Sequence, residues 1–286
     1  MIKFFKYFFQ SLIIYLFFIF GRILGLKNSQ KIFSKIFQIL GPKFKSNIII
    51  NQNLEKFNKN ISISNKNDIS EQVWSNYGKT FIEYIFLDKY KKQSNFITLN
   101  NQNILDDIIK EKKPVVFVSG HFANFELMSM EITKKKIKLA TIYRPLNNYF
   151  LNPFMEFLRK RYVCKNQIKK GRAGVREAMS YINKGYSIAL MIDQRVSEGE
   201  LVNLFNQPSL TTTLPAQLAL KYNLKLVPVY IERKKDNSFN LKFHSPIQSQ
   251  KFKDKLELTK YLNIQLESML IKNPGQWIWT HNKWKI

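Results

Sequence analysis

Short apolar runs alternate with helical stretches over residues 114–271, and this alternation constrains the fold more than any other sequence feature. Buried strands are predicted where β-branched and other apolar residues run together, at residues 114–119, 139–143, 187–192 and 226–231. Apolar residues at helical spacing predict helices at residues 122–135, 150–160, 173–183, 213–222 and 254–271. Strands that alternate with helices form crossover units. We therefore expect an α/β fold with a mostly parallel central sheet flanked by helices.

Helices and one further strand are predicted outside this alternation. Helical spacing covers residues 29–40 and 70–90, and residues 51–68 are predicted as a surface helix plus loop. Residues 239–243 (FNLKF) alternate between apolar and polar side chains, which is typical of an edge strand. The predicted organisation is an N-terminal membrane anchor, residues 1–26, followed by a single α/β domain, residues 27–286.

The N-terminal segment is apolar enough to meet a membrane. Residues 4–20 (FFKYFFQSLIIYLFFIF) are apolar except for Lys6, Gln10 and Ser11, and a full span needs about 20 apolar residues. Residues 21–25 do not contain the small-residue cleavage site of a signal peptide. We therefore predict a retained membrane-anchoring helix that either spans the bilayer or lies in its interface, with a buried core helix as the alternative.

The charge of the chain points to a polyanionic partner. The sequence has 46 Lys and Arg against 20 Asp and Glu, a formal net charge of +26. Such an excess favours nucleic acid, anionic membrane lipids or a phosphorylated substrate, although abundant lysine, asparagine and isoleucine also indicate a composition bias. The single cysteine, Cys164, excludes an internal disulfide, and no cluster of cysteine and histidine has the spacing of a metal site.

A histidine follows the first buried strand of the alternation. Ligands of parallel sheets bind beyond the carboxyl ends of the strands, and His121 lies there, after Gly120 and before a predicted helix. Neutral imidazole accepts a proton near neutral pH, and a carboxylate on its other nitrogen fixes the tautomer. Glu126 supplies that carboxylate only if His121 lies in the turn, because on a continuous helix the two side chains would point about 140° apart. By itself, this spacing fits a structural histidine equally well.

Further charged residues follow the other predicted strands. Arg144, held by Pro145, is placed to bind a phosphate or to stabilise charge near a carbonyl group. Arg172 and Arg176 bring positive charge to the start of a helix, where they bind an anion or form a solvated basic face. Asp193 either positions Arg144 or a substrate, or is an ordinary acid at the end of a strand.

Six sequence blocks occur in the order typical of one enzyme family. They are Gly120-His121 with Glu126, residues 143–148 (YRPLNN), 170–176 (KGRAGVR), 190–194 (LMIDQ), 211–216 (TTTLPA) and 273–285 (NPGQWIWTHNKWK). Over nearly its whole length the chain resembles the lipid A biosynthesis acyltransferases, the late lauroyl- and myristoyl-type enzymes of Gram-negative bacteria. The resemblance implies a glycerolipid acyltransferase-like fold and an acyltransferase that needs no metal and no cofactor.

The resemblance also implies roles for individual residues. It maps His121 and Glu126 onto the family's catalytic dyad, with Glu126 holding the imidazole. It makes Arg144 important for catalysis or for a substrate phosphate. The residues assigned to substrate binding are Arg172, Arg176, Asp193 and Gln194.

The C-terminal block departs from the family pattern. Where the family has an arginine pair, this chain has Asn282 and Lys283, and lysine cannot make a bidentate phosphate contact. This difference weakens the case for phosphate binding there. We expect His244, His281 and the neighbouring tryptophans to pack rather than to catalyse.

The resemblance further implies partners and a location. The acyl donor is acyl carrier protein, with coenzyme A as the alternative carrier, and the acceptor is a hydroxyl of a Kdo-bearing lipid A precursor. Anionic inner-membrane lipids are the other partners, nucleic acid is not one, and the protein is expected to be a monomer. The expected location is the bacterial inner membrane, with the catalytic domain facing the cytoplasm.

Three other functions compete with this hypothesis. The same chemistry serves a lysophospholipid or another phosphorylated glycolipid as acceptor. Water in place of the acceptor hydroxyl would make the chain a thioesterase or phospholipase. A membrane-associated basic nucleic-acid-binding protein explains the charge but not the histidine at a strand end, and no RNA-binding or zinc-finger motif is present.

Overall fold

A computed structural model of the chain describes residues 1–44 and 46–286. Its α-helices are α1 (Ile2–Leu24), α2 (Leu26–Leu40), α3 (Ser46–Phe57), α4 (Ile63–Glu83), α5 (Leu87–Lys92), α6 (Asn103–Glu111), α7 (Glu126–Lys134), α8 (Asn152–Leu158), α9 (Arg172–Asn183), α10 (Leu214–Tyr222) and α11 (Lys255–Lys272). Its strands are β1 (Ile97–Asn100), β2 (Val116–Ser119), β3 (Leu139–Tyr143), β4 (Asn166–Lys169), β5 (Ser187–Met191), β6 (Glu200–Leu204), β7 (Gln207–Thr211), β8 (Lys225–Arg233), β9 (Phe239–Phe243) and β10 (Ile247–Gln248). A π-helical turn, Arg159–Val163, continues α8.

Eight strands form one central sheet in the order β1-β9-β8-β2-β5-β3-β4, with β10 paired to β8. The centre of this sheet is parallel, because β2 pairs with β8 and β5, and β3 pairs with β5 and β4. Strands β2 and β5 consist mainly of buried apolar residues, as expected of strands covered on both faces. The prediction of an α/β fold with a mostly parallel sheet flanked by helices is confirmed.

The predicted strands of the core are confirmed as β2, β3, β5 and β8. The prediction of an edge strand at residues 239–243 is wrong in its position, because β1 pairs in parallel with the outer side of β9. Strands β1 (ITLN) and β4 (NQIK) contain too many polar residues to stand out in the sequence. Strands β6 and β7 form a separate antiparallel hairpin that the sequence analysis did not predict.

A buried ion pair joins α4 to the sheet. The guanidinium of Arg233, at the end of β8, donates to both carboxylate oxygens of Glu83, and these side chains are 3% and 0% exposed. Glu83 also accepts hydrogen bonds from Gln30 (2.6 Å) and Asn124 (2.9 Å). Buried charges are tolerated when they are paired and hydrogen-bonded. This network therefore connects α2, α4, β8 and the turn before α7.

The N-terminal helix α1 has the length and composition predicted for an anchor. It contains 23 residues, and an 18-residue window within it has a mean hydropathy of 1.8, so it is long and apolar enough to cross a membrane. Much of its apolar surface is exposed, so the alternative of a buried core helix is not what the structure shows.

Candidate active site

Three neighbouring strands of the sheet, β2, β5 and β3, end at one cavity of about 680 Å³. The predicted site residues that line it are His121, Glu126, Arg144, Arg172 and Gln194. Asp193 lies behind His121, fully buried. Arg176 is exposed on α9, outside the lining of this cavity. The structure therefore brings together all of the predicted site residues except Arg176, whose expected role in substrate binding gains no support from the cavity.

Gly120 allows His121 to lie directly against a carboxylate. A Cβ at Gly120 would lie 2.7 Å from the ring of Phe122 and 3.2 Å from Asp193 Oδ2, which is too close for any side chain. The backbone N–H of His121 donates to the same oxygen of Asp193 at 2.6 Å. Because residue 120 is glycine, the turn after β2 can lie in direct contact with the segment after β5.

The turn continues through a residue with a strained backbone. Ala123 has a φ of 44°, which residues other than glycine rarely adopt. Two hydrogen bonds hold it in this conformation. Its N–H donates to the carbonyl of Gln276 (2.8 Å), and its own carbonyl accepts from the hydroxyl of Thr80 (3.1 Å). The position of the His121 turn therefore depends on α4 and on the C-terminal segment.

His121 and Asp193 form a hydrogen-bonded pair at the cavity wall. His121 Nδ1 lies 2.7 Å from Asp193 Oδ1, and the indole N–H of Trp277 donates to Asp193 Oδ2 at 2.7 Å. The side chain of Asp193 is 0% exposed, whereas that of His121 is 17% exposed. Because an ionised carboxylate only accepts hydrogen bonds, this contact requires the proton on Nδ1. His121 Nε2 is then the nitrogen that is free to accept a proton.

Asp193 is held in its ionised form. Burial alone would raise the pKa of Asp193, but the positive charge of His121 and hydrogen bonds from His121 and Trp277 outweigh burial. The pKa of Asp193 therefore lies below its usual value. A buried carboxylate that stays ionised at neutral pH fixes the imidazole tautomer and stabilises positive charge on the ring.

The predicted contact between Glu126 and His121 is wrong. Glu126 Oε1 instead accepts hydrogen bonds from Arg159 Nε and from the hydroxyl of Tyr84, both at 2.7 Å. The physical reason is local. Helix α7 begins at Glu126, and the residue before it, Phe125, packs its ring against the imidazole at 4.6 Å between centroids. Phe125 rather than Glu126 is therefore the side chain beside His121. Asp193, which was predicted to bind substrate, occupies the place expected for Glu126.

Arg159 is a site residue that the sequence analysis missed. Burial would lower the pKa of Arg159, but the charge of Glu126 and hydrogen bonds to Glu126 and Tyr84 raise it above its usual value. Arg159 lines the cavity, and its Nη1 is buried with no hydrogen-bond partner among the described residues. This nitrogen is thus available to an oxygen atom of a bound ligand. In the sequence, Arg159 is hidden within a basic run that resembles an ordinary helix surface.

The cavity combines a basic rim with an apolar interior. Its exposed basic lining residues are Arg144, Lys170 and Arg172. Its buried apolar lining residues are Met128, Val163, Ala189 and Leu190. Such a lining suits a ligand that has both an anionic group and a hydrocarbon chain.

The C-terminal segment contributes His281 to the lining of this cavity, and its other residues pack behind the site. His281 Nε2 accepts a hydrogen bond from the backbone N–H of Arg195 at 2.8 Å, and burial lowers the pKa of His281. Lys283 is fully buried, donates to Thr211 Oγ1 at 3.0 Å, and has its pKa lowered by burial to about 8. This lysine is therefore inside the protein rather than at a phosphate site. The expected packing of the tryptophans is confirmed, and Trp277 in addition bonds Asp193.

One comparison with known proteins identifies a family. The sequence model of the family described as bacterial lipid A biosynthesis acyltransferase matches residues 2–286. Among solved structures, the chain is similar to the crystal structure of the 1-acyl-sn-glycerophosphate (LPA) acyltransferase PlsC from Thermotoga maritima. The two share 13% sequence identity and a TM-score of 0.41, over 95% of this chain and 99% of that chain. No curated protein sequence matches this chain.

Proposed function

The chain belongs to the bacterial lipid A biosynthesis acyltransferase family, and from this premise we propose that it moves a fatty acyl chain from acyl carrier protein to a hydroxyl of a Kdo-bearing lipid A precursor. Members of this family are membrane-associated acyltransferases. We place the reaction at the bacterial inner membrane, with the catalytic domain facing the cytoplasm.

The observation that carries this proposal is the pair formed by His121 and Asp193. His121 lines the cavity, and its Nδ1 is held 2.7 Å from a buried carboxylate. A lipid hydroxyl is a weak nucleophile until a base removes its proton during attack, and an oriented imidazole supplies that base. The orienting acid in this proposal is Asp193 rather than Glu126.

The proposed reaction proceeds in two steps at His121. Nε2 takes the proton of the acceptor hydroxyl while the hydroxyl oxygen forms a bond to the thioester carbonyl carbon. The resulting oxyanion then re-forms its carbonyl as the carbon–sulfur bond breaks, and the imidazolium returns the proton to the departing thiolate. The negative charge of Asp193 stabilises the imidazolium between these steps.

Arg159 and Arg144 are the cations available to the developing oxyanion and to phosphate. Arg159 lines the cavity and has an Nη1 without a hydrogen-bond partner among the described residues, while Glu126 and Tyr84 fix the rest of the guanidinium. Fixed donors aimed at developing charge lower the barrier of acyl transfer. We therefore give Glu126 the role of positioning Arg159, and Arg144 at the exposed rim that of binding a substrate phosphate.

The experiment measures acyl transfer from labelled acyl carrier protein to a Kdo-bearing lipid A precursor. The variants are His121→Ala, Asp193→Asn and Glu126→Gln. We expect the first two to lose about 10²-fold or more in kcat, because each removes the base or its orientation. Glu126→Gln is expected to lose less activity than Asp193→Asn, because it leaves the imidazole in place.

Two variants serve as controls for this comparison. His244→Gln changes a histidine remote from the cavity, whose pKa burial lowers to about 4, and Arg176→Ala changes an exposed arginine outside the cavity lining. Both are expected to retain wild-type activity. Full activity in His121→Ala would overturn the mechanism. A wild type that acylates a lysophospholipid but not the lipid A precursor would overturn the proposed acceptor alone.

A further inference from the structure

One face of α1 packs against the body of the protein along almost its whole length. The buried and half-buried residues of this face recur at helical spacing: Tyr7, Ser11, Tyr15, Phe18 and Gly21. The contacts run from Phe4 to Arg22. Because a helix rises about 1.5 Å per residue, they extend over about 27 Å.

The first half of α1 packs on the loop between β3 and α8. Asn148 Nδ2 donates to the backbone carbonyl of Tyr7 at 3.0 Å, and the ring of Phe4 lies 5.1 Å from that of Phe150. The hydroxyl of Tyr15 donates to the carbonyl of Phe150 at 2.9 Å. The beginning of the helix is therefore attached to the body rather than projecting from it.

The second half of α1 packs on the end of α4 and the start of α5. Arg22 donates to both carboxylate oxygens of Asp88, at 3.0 and 2.8 Å, and to the carbonyl of Ile85 at 2.7 Å. A Cβ at Gly21 would lie 2.5 Å from the side chain of Ile82, so α1 and α4 are in close contact. Both ends of α1 are thus fixed to the same body.

The opposite face of α1 is apolar and exposed. Its residues follow the same helical spacing on the far side from the docked face: Phe5, Phe9, Leu12, Leu16, Phe20 and Ile23. Each of these side chains is at least 46% exposed. A continuous apolar strip of this length on a protein surface marks an interaction site.

We propose that α1 lies in the plane of the membrane, with this apolar face in the hydrocarbon of one leaflet and the body in water. If α1 crossed the bilayer, the protein surface that packs along those 27 Å would also lie in the hydrocarbon core, which is about 30 Å thick. That surface includes Asp88, which is paired with Arg22, and the short helix α5 that begins beside it contains three lysines. Charged side chains are strongly unfavourable in hydrocarbon. The in-plane orientation buries the apolar face without burying these charges.

The charges next to this face favour an anionic bilayer as its partner. Lys3 and Lys6 lie at the beginning of α1 and Lys27 lies just after its end, and all three are exposed. Lysines beside an apolar helix face attract anionic lipid headgroups. The net charge of +26 acts in the same direction.

The same geometry places the cavity at the membrane surface. The loop between β3 and α8 lines the cavity at Arg144 and Leu146 and packs on α1 at Tyr149, whose ring lies 5.6 Å from that of Tyr7. The side chains of Leu146 and Tyr149 are exposed. In terms of the proposed function, an acceptor lipid then enters the cavity past this loop from the leaflet that holds α1.

The test measures the membrane depth of three positions on the apolar face, in Phe5→Cys, Leu12→Cys and Ile23→Cys. Each full-length variant is labelled with an environment-sensitive fluorophore and added to vesicles of phosphatidylethanolamine and phosphatidylglycerol. These vesicles contain nitroxide quenchers at a shallow or a deep position of the acyl chains. Wild type gives the labelling background, because its single thiol, Cys164, is buried. Lys113→Cys, exposed in the loop before β2 and thus at the opposite end of that strand from the cavity, is the control for a probe in water.

The three depths decide the orientation of α1 without any measurement of activity. Equal depths at all three positions, with Lys113→Cys unquenched, are the expected result. A Leu12 probe about 10 Å deeper than the Phe5 and Ile23 probes would overturn the proposal, because only a crossing helix places its middle that far below its ends. Probes that no lipid quenches would also overturn it, because another partner would then cover this face.

Discussion

At the residue scale, the Trp277 indole gives Asp193 a third hydrogen bond, at 2.7 Å. Trp277→Phe removes this donor and keeps most of the ring. Because the bond favours the ionised carboxylate, its loss is expected to raise the pKa of Asp193. Activity should then be lost at a higher pH than in wild type as the solution is acidified. Since a hydrogen bond to a charged group contributes about 1.5–3 kcal/mol, we expect kcat to fall by about 10-fold or more, measured as a pH–rate profile.

Trp284→Phe is the matched control for this prediction. Trp284 belongs to the same buried cluster, but its indole N–H donates to the carbonyl of Leu204 at 3.1 Å. Its variant is expected to lose stability while the shape of the pH–rate profile stays that of wild type. Equal shifts in both profiles would mean that Trp277 acts through packing alone.

Lys283 predicts a pH dependence of stability at the same scale. Its pKa is about 8 in the folded protein, because of burial, against an ordinary value of 10.5. Between these values the unfolded chain binds more protons than the folded one, so folded-state stability rises with pH through this window. The free energy of unfolding of wild type, relative to Lys283→Met, should therefore increase from about pH 7.5 to about pH 9.5. Urea titrations at both pH values measure it.

Lys285→Met provides the comparison for Lys283→Met. Lys285 is exposed two residues further along the chain, so its replacement is expected to leave the pH dependence of the wild-type stability unchanged. The prediction would be contradicted if the difference in free energy of unfolding between wild type and Lys283→Met stayed constant with pH.

His121 was predictable from the sequence, but its partner was not. The run of apolar residues, the glycine and the following helix place His121 at a strand end without reference to the rest of the chain. Asp193 is 72 residues away, and its contact with His121 depends on β2 and β5 being neighbours in the sheet. The family resemblance pointed to Glu126 instead. The sequence could not show that Glu126 pairs with Arg159, because that contact depends on how α7 and α8 pack.

At the element scale, the ion pair between Glu83 and Arg233 holds the turn that contains His121. Glu83→Gln leaves a buried guanidinium without its counter-charge, which typically costs about 3–5 kcal/mol of folding free energy. Asn124 loses a charged acceptor in the same change, so kcat should also fall. Urea titration and the acyl-transfer assay measure the two effects.

Glu111→Gln is the control for a lost ion pair. Glu111 bonds Lys225 at 2.7 Å, but their side chains are 40% and 30% exposed, and an exposed pair contributes about 1 kcal/mol or less. Its replacement is expected to change neither stability nor activity appreciably. If Glu83→Gln is no more destabilised than Glu111→Gln, the buried network does not support the turn.

The elements differ in how far the sequence determined them. Strands of the buried centre are mainly apolar, so β2, β3, β5 and β8 are visible in the sequence. Strands β1 and β4 lie at the two ends of the sheet and depend on pairing with a neighbour rather than on their own apolar residues. The hairpin β6–β7 is held by contacts such as the hydrogen bond from Asn263 to the carbonyl of Asn203 (2.9 Å), which local patterns cannot reveal.

At the scale of the whole molecule, one body contains the sheet, the cavity and the docked helix α1. The segments that line the cavity also contact α1 and the C-terminal tryptophans, through the loop after β3 and the segment after β5. In the proposed in-plane orientation, the loop at residues 144–150 therefore connects the membrane-facing helix to the cavity entrance.

The docked face of α1 has a consequence for the kinds of membrane in which this chain can work. A helix that spans a bilayer must match its apolar length to the bilayer's thickness, and each ångström of mismatch costs a fraction of a kcal/mol. A helix fixed along its length to one body has no such requirement. Acyl transfer is thus expected to vary by less than about twofold across vesicles made from short-chain to long-chain lipids of equal charge. A sharp optimum at one chain length would contradict this, whereas a flat profile would mean that bilayer thickness does not limit where this chain can work.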